Sequence, residues 1–367
     1  VKILHISSAK SFGGGERHLV DLCRELALRG HEIHIVVRPT CEWQQRLDFL
    51  PTDRIVHSSI RNAFGIFSAQ RIARYVRENE IEIVHAHAGR DYIPATVVCR
   101  MSKGVRFVLT RHVLFPMKPF HRVALRNVAR AIGVSSAVAR NLRYIFPADK
   151  IVTIPNGLAP PDLDEDGRRR AREEFRFFHG LPFDAPVVAA VGELKPLKGQ
   201  RDFLLAAGEI AKSDGNARFL VVGRDNSVKY EFRRELRRLS KVLGIGDRVL
   251  FLDWVDDLPQ MLAATDVLVS PSHSESFGLV ILEAMLCGVP VVATDTAGAR
   301  ELLTDGRTGF ITPVGDPLSL ASATTRLLAD EDLRRSTGDG ARSDAVAKFS
   351  LTRMVDATEA VYRSVLD

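Results

Sequence analysis

An α/β chain built from two doubly wound parallel-sheet domains is the architecture this sequence predicts. Three observations predict it. The chain has 367 residues, more than one ordinary hydrophobic core organises, so two domains are expected. Short β-branched apolar runs alternate with longer amphipathic ones, the rhythm of βαβ units. Near the middle, Pro160-Pro-Asp-Leu-Asp-Glu-Asp166 is a proline- and acid-rich linker, which places the boundary at 160/161.

Composition narrows the function classes. Apolar residues at 46% and charged residues at 26% are globular values, and no run approaches the 18 apolar residues a membrane span needs. The first strand-like run opens the sequence directly, without the pattern of a secretory signal. Cys23, Cys41, Cys99 and Cys287 show no framework spacing and read as reduced thiols, so a cytoplasmic location is expected. Charge is uneven. Residues 1–160 carry 24 Lys+Arg against 12 Asp+Glu, and the remainder carries 27 against 33. A basic front half suits anionic lipid headgroups, nucleic acid or a phosphorylated substrate, and is equally what Arg-rich helix surfaces produce.

Taken in order, Val1–Ser7 reads as a strand, Gly13-Gly-Gly15 as a loop, Leu19–Arg29 as an amphipathic helix, and Gly30–Val37 as a turn and second strand. The glycines let backbone approach a ligand, but they do not spell GxGxxG, and a dinucleotide site is weakly supported. Arg71–Glu80 is a basic helix, and Ile81–His87 a strand with a His-rich tip. His85 and His87 share one face of that strand; no third ligand of fitting spacing follows, so no metal site is expected. Val105–Thr110 is a strand ending before Arg111-His112. Phe115–Val128 mixes aromatic and basic residues, fitting a bilayer surface, the wall of an acceptor site or an ordinary surface helix. Ala131–Ser135 and Lys150–Pro155 are strands around a helix over 137–145. Asp162-x-Asp164 follows two prolines rather than a strand and reads as solvated linker. In the second half, strands are expected at 187–191, 217–223, 248–252 and 266–270, a hairpin-like stretch at 306–313, and helices at 317–328 and 351–366. Trp254 either stacks on a ligand or simply packs.

The densest signal is Pro271–Val292, PSHSESFGLVILEAMLCGVPVV. A strand stops at Ser-Pro, a loop carries Glu275-Ser-Phe-Gly278, and a helix starts near Phe277-Gly278 and ends at Cys287-Gly-Val-Pro290. A helix N-terminus offers free N–H groups and partial positive charge, which suit phosphate. Glu275 stands at the loop's lip. Glu283, eight residues on, is expected about two turns inside the helix on roughly the same face. There it is a plausible acceptor for a ribose diol, or merely a solvent-facing helical glutamate.

ESFGLVILEAMLCGVPVVAT resembles the Glu-x7-Glu motif of retaining glycosyltransferases of family 4, the group 1 glycosyltransferases. The resemblance extends over the chain, with its most specific motifs in 187–313. It implies the GT-B fold: two Rossmann-like domains facing across a cleft, the N-terminal acceptor domain formed by 1–160 plus a returning helix at 350–367, and the C-terminal nucleotide-sugar domain by 161–349. It implies a hexosyltransferase that uses a UDP- or GDP-sugar, retains anomeric configuration, and serves a glycan or lipid-linked acceptor in bacterial cell-surface polysaccharide synthesis. The implied donor-binding residues are Gly14, Gly15, Gly223, Val255, Ser276, Phe277, Gly278, Leu279 and Glu283. Glu275, Lys198 and His112 would carry the chemistry. Glu275 would orient the sugar, Lys198 would neutralise the diphosphate, and His112 would hydrogen-bond near the reacting centre. The family usually shows Gly-Arg-Leu where this chain has Gly192-Glu-Leu194, so a cation is replaced by Glu193, and Lys195 is the expected substitute. No metal or other cofactor is expected, and no nucleic-acid motif is present. An anionic membrane surface at the inner face is a candidate partner. Two alternatives share the features: a UDP-GlcNAc 2-epimerase-like isomerase, and a non-catalytic nucleotide-sugar-binding protein.

Overall fold

The computed structural model of the chain describes residues 1–59 and 66–367. The chain divides into two compact units, Val1–Leu158 with Leu351–Asp367, and Ala159–Ser350.

The first unit is a seven-stranded sheet of β1 (Lys2–Ser7), β2 (Glu32–Val37), β3 (Ile55–His57), β4 (Ile83–Ala86), β5 (Arg106–Arg111), β6 (Arg130–Gly133) and β7 (Ile151–Thr153), in the order β3-β2-β1-β4-β5-β6-β7. All pairings are parallel, with Ile3 opposite Ile33 on one side and Ile83 on the other. β1, β2 and β4 are buried almost throughout, which is why they read as unbroken apolar runs. The chain winds outward from β1 to β3, then returns to lay β4 on the other side of β1. The point where strand order reverses is therefore between β1 and β4, and open α/β sheets form their crevice outside the carboxyl ends at such a point.

The second unit repeats the plan with β8 (Val187–Val191), β9 (Arg218–Val222), β10 (Val249–Leu252), β11 (Val267–Ser270), β12 (Val291–Thr294) and β13 (Phe310–Thr312), in the order β10-β9-β8-β11-β12-β13. Here strand order reverses between β8 and β11, so the loops after those two strands flank the crevice. The helix Leu351–Leu366 belongs to the first unit. Met354, Val355, Val361, Tyr362 and Val365 enter the core that Leu19, Leu22 and Leu26 of the helix Gly14–Leu28 also fill. Arg29 Nη1 ties the two helices through Asp356 (2.6 Å) and Glu359 (2.9 Å). Among the described residues, no helix is long and apolar enough to cross a membrane.

Several local expectations are corrected. The first helix starts at Gly14, not Leu19. Extended Gly13 accepts the Arg17 amide, and Glu16 in the first turn suits the helix dipole, so all but one of the three glycines are helical. Within 115–128 only His121–Ala124 is helical, since Pro116 and Pro119 interrupt any longer run. Residues 306–313 are no hairpin: Phe310–Thr312 adds a parallel edge strand beside β12. Asp164 is more than linker, because its carboxylate accepts the Gly167 amide at 2.7 Å and caps the helix Glu165–Phe178. The 18-residue helix Glu331–Lys348 was not foreseen. It is largely polar and holds Gly338 and Gly340, and packing decides it: Gly338 lies against the Gly288 carbonyl, where a Cβ would come within 2.2 Å.

Candidate active site

The second unit's crevice is lined by the loops after β8 and β11. β8 delivers Gly192–Gly199, in which the turn Pro196–Lys198 leads into the helix Gln200–Ser213. Gly199 has φ +68°, and a Cβ there would sit 1.9 Å from the Pro271 carbonyl oxygen. Only glycine allows this loop to seat on the first residue after β11. That contact brings Lys198 Nζ to Glu275 Oε2 at 2.5 Å, a half-buried ion pair spanning 77 residues of sequence.

Gly278, at φ +92°, is the N-cap of the helix Leu279–Leu286 and supplies no side-chain cap, leaving the first-turn amides for another acceptor. Ser276 and Leu279 are half-buried and Phe277 is buried. Phe277 packs edge-on against Phe349, with centroids 5.9 Å apart. Because the helix starts at Leu279, Glu283 lies about one turn inside it, not two, and is half-buried. Gly298 was not singled out in the sequence. Its amide donates to the Glu275 carbonyl at 2.9 Å, and a Cβ there would meet the Phe277 carbonyl oxygen at 2.5 Å. It props the Glu275–Phe277 backbone from below. Its signal was a glycine in a helix's first turn, Ala297–Leu302, directly after a strand.

The loops after β9 and β10 border the same end of the sheet. Gly223 packs on the Gly192 carbonyl, where a Cβ would come within 1.9 Å. Val255 is half-buried. Trp254 is 40% exposed, donates from Nε1 to Asp256 at 2.9 Å, and lies under the Arg224 guanidinium at 5.2 Å, so one face of its ring is already used. Lys195 does not stand free for a ligand: its Nζ bonds Glu193 Oε2 at 2.5 Å, and Asn226 donates to Glu193 Oε1 at 3.0 Å. Partial burial alone would raise the Glu193 pKa. The bonds from Lys195 and Asn226 and the charges of Lys195 and Lys198 outweigh it and hold the carboxylate below its ordinary range.

The first unit gathers histidines at its own reversal point. His5 stands on β1, His85 on β4, His87 just after β4, His112 just after β5 and His18 in the helix Gly14–Leu28. Gly15 lies against His112, with a Cβ position 3.6 Å from its Cγ, while Gly14 is exposed. His18 and His112 meet edge to face at 4.9 Å, and His87 stacks on His112 at 5.8 Å. His5 Nδ1 and His87 Nε2 share a hydrogen bond of 3.0 Å. His85 is saturated by Tyr362 (2.6 Å) and Thr110 (2.8 Å). Burial lowers all five pKa values. His5 falls to about 3 and His18 to about 4, and the other three lie well below the ordinary value, His112 also through His18 and Arg111. The five imidazoles are therefore neutral at physiological pH. Beside them Asp91 accepts the Ser8 amide at 2.9 Å, and burial raises its carboxyl to about 6 against that bond. Spacing along the sequence revealed only the His85/His87 pair; His5, His18 and Asp91 come from separate segments.

Residues 12–160 match the model of Glycosyltransferase Family 4, and residues 171–344 that of Glycosyl transferases group 1. The chain is 36% identical to a D-inositol 3-phosphate glycosyltransferase of Geodermatophilus obscurus, over 97% of this chain and 85% of that protein. It is 28% identical to the lipopolysaccharide core biosynthesis glycosyltransferase LpsE of Rhizobium meliloti, over 97% of both. Its fold matches that of the Anabaena HepE protein crystallised with UDP-glucose, with a TM-score of 0.85 at 23% identity over 99% of both chains. The chain belongs to the group 1, family 4 glycosyltransferases, enzymes of the GT-B fold.

Proposed function

We propose that this enzyme transfers a hexosyl group, with retention of configuration, from a UDP- or GDP-sugar to a glycan or lipid-linked acceptor in bacterial cell-surface polysaccharide synthesis. The observation that carries the donor half is the Lys198–Glu275 pair beside the uncapped start of the helix Leu279–Leu286. A diphosphate seated at that helix start competes with Glu275 for Lys198 and frees the carboxylate for sugar hydroxyls. Lys198 and the helix amides then stabilise the departing diphosphate, so the donor site needs no metal in this reading. Glu283 holds the ribose diol. Neutral His112 hydrogen-bonds near the reacting centre. No side chain is assigned as covalent nucleophile; the acceptor attacks from the face the phosphate leaves, and a phosphate oxygen takes its proton.

The names of two similar proteins support this reading. HepE was crystallised with UDP-glucose, and LpsE is named for lipopolysaccharide core synthesis. An acceptor at the cytoplasmic face of the inner membrane is supported by Phe115, Phe120 and Val123, all exposed, among Lys118, Arg122 and Arg126. A second reading is favoured by the relative named for inositol 3-phosphate: a small anionic acceptor, which the same basic unit would attract. Thermal shift with UDP-, GDP- and ADP-sugars tests the donor, since a bound donor at 100 times its Kd stabilises by about 2.7 kcal/mol. A chain indifferent to all three refutes the proposal. Flotation with anionic liposomes separates the two acceptor readings: salt-sensitive binding supports the membrane one, and its absence removes it.

A further inference from the structure

Three of the clustered imidazoles are arranged as a metal site. One ring nitrogen each of His18, His87 and His112 lies within 4.8 Å of the other two. A tetrahedral centre with metal–nitrogen bonds near 2.0–2.1 Å needs nitrogens about 3.4 Å apart, so moving each ring nitrogen by under about 1 Å closes the set. The alternative trio of His5, His85 and His87 also meets the distance, but both His85 nitrogens are already bound to Tyr362 and Thr110.

Two further observations point to a ligand. His18 is buried, and neither of its nitrogens has a partner of hydrogen-bond geometry; Asn156 lies near, with its own Oδ1 equally unpartnered. His87 is buried, and its Nδ1 has no partner. A buried polar nitrogen left without a partner costs about 1–3 kcal/mol, and three such atoms in one cluster call for something to satisfy them. The His5–His87 bond supplies the orientation. When His87 Nε2–H donates to His5 Nδ1, the lone pair of His87 is fixed on Nδ1, the pattern by which an outer partner sets the tautomer of a ligating histidine.

We propose that His18, His87 and His112 form a binding site for a borderline-soft divalent cation of the Zn2+, Co2+, Ni2+ or Cu2+ class, with a fourth position open to solvent or an anion. Three uncharged nitrogen donors select these ions over Mg2+ and Ca2+, which require oxygen ligands. Binding stands apart from the transferase reading. One consequence rests on that reading: an ion on His112 withdraws it from the sugar, so Zn2+ inhibits transfer rather than supporting it.

The test uses the untagged full chain, stripped with chelator and titrated with Co2+ alone. The expected result is one equivalent bound with the intense visible absorption of four-coordinate Co2+, displaced by Zn2+ and untouched by excess Mg2+. His18→Ala and His87→Ala each weaken Zn2+ binding by about 100-fold or more, whereas exposed His57→Ala does not. The weak spectrum of octahedral Co2+, absence of binding, or unchanged affinity in His18→Ala would overturn the site. The spectrum of the unaltered chain decides the matter even if a variant fails to fold. Zn2+ binding without inhibition would overturn only the role of His112.

Discussion

Gly298→Ala tests whether the Glu275 loop must be held where the structure puts it, without removing any side chain that touches substrate. The new Cβ would lie 2.5 Å from the Phe277 carbonyl oxygen and 3.0 Å from Glu275 Cγ. Restoring ordinary contact needs a shift of roughly 1 Å. Two effects oppose one another. Alanine in place of glycine inside a helix gains up to about 1 kcal/mol. Overpacking against backbone costs about 1–3 kcal/mol. The clash wins because the atom met first is a carbonyl oxygen, which cannot turn aside as a flexible side chain can. The expected net destabilisation is about 1–2 kcal/mol, a fall in Tm of roughly 2–8 °C for a unit of this size. The rate suffers more. Displacing a positioning group by about 1 Å costs about 100-fold, or about 2.7 kcal/mol of transition-state stabilisation. Initial rates of nucleoside-diphosphate release would be measured with the donor that gives the largest thermal shift. Gly215→Ala serves as control, since nothing lies within 4 Å of its Cβ position. If Gly298→Ala kept kcat and KM within about twofold of the parent, the idea that this glycine sets the Glu275 position would be wrong.

Four further outcomes are expected. Glu283→Ala raises donor KM while Glu275→Ala mainly lowers kcat, and steady-state kinetics giving equal effects would remove the distinction between ribose and sugar contacts. Lys195→Ala leaves Glu193 without its ion-pair partner beside the diphosphate and raises donor KM about tenfold; the double variant with Glu193→Ala restores it, and additive losses in that cycle would show the two residues act separately. Tyr362→Phe strands the buried His85 Nδ1 and costs about 1–3 kcal/mol, read from the urea midpoint, where no change would mean the bond contributes nothing net. Glu359 is held at about 2, against an ordinary 4.5, first by its bond from Arg363 and then, against slight burial, by Arg29 and His31. Its folded-state pKa is depressed, so its contribution is full above about 4.5 and is lost as pH falls toward 2. The Tm difference between the parent chain and Glu359→Gln should be constant near neutrality and shrink across that window; a difference growing as pH falls would reverse the assignment.

Much of this protein was legible before folding is considered. β8 and β11 are short apolar runs closed by glycine and by Ser-Pro, and the helix after Gly278 is bounded by glycines at both ends, Gly278 and Gly288; such signals are local, carried by neighbours in sequence. The closing helix 351–366 was readable for the same reason, through a 3.6-residue apolar stripe. What tertiary structure decided is everything that depends on which strand lies beside which. Order reversal between β8 and β11 brings Lys198 to Glu275 across 77 residues, and the returning helix brings Tyr362 to His85 across 277. The five histidines arrive on four separate segments, so no spacing rule joins them. The polar helix Glu331–Lys348 is fixed by a backbone contact at Gly338 rather than by its own pattern. Periodicity records the face a residue turns to the core, whereas a site is made by strand order, and strand order is set by contacts the local sequence does not contain.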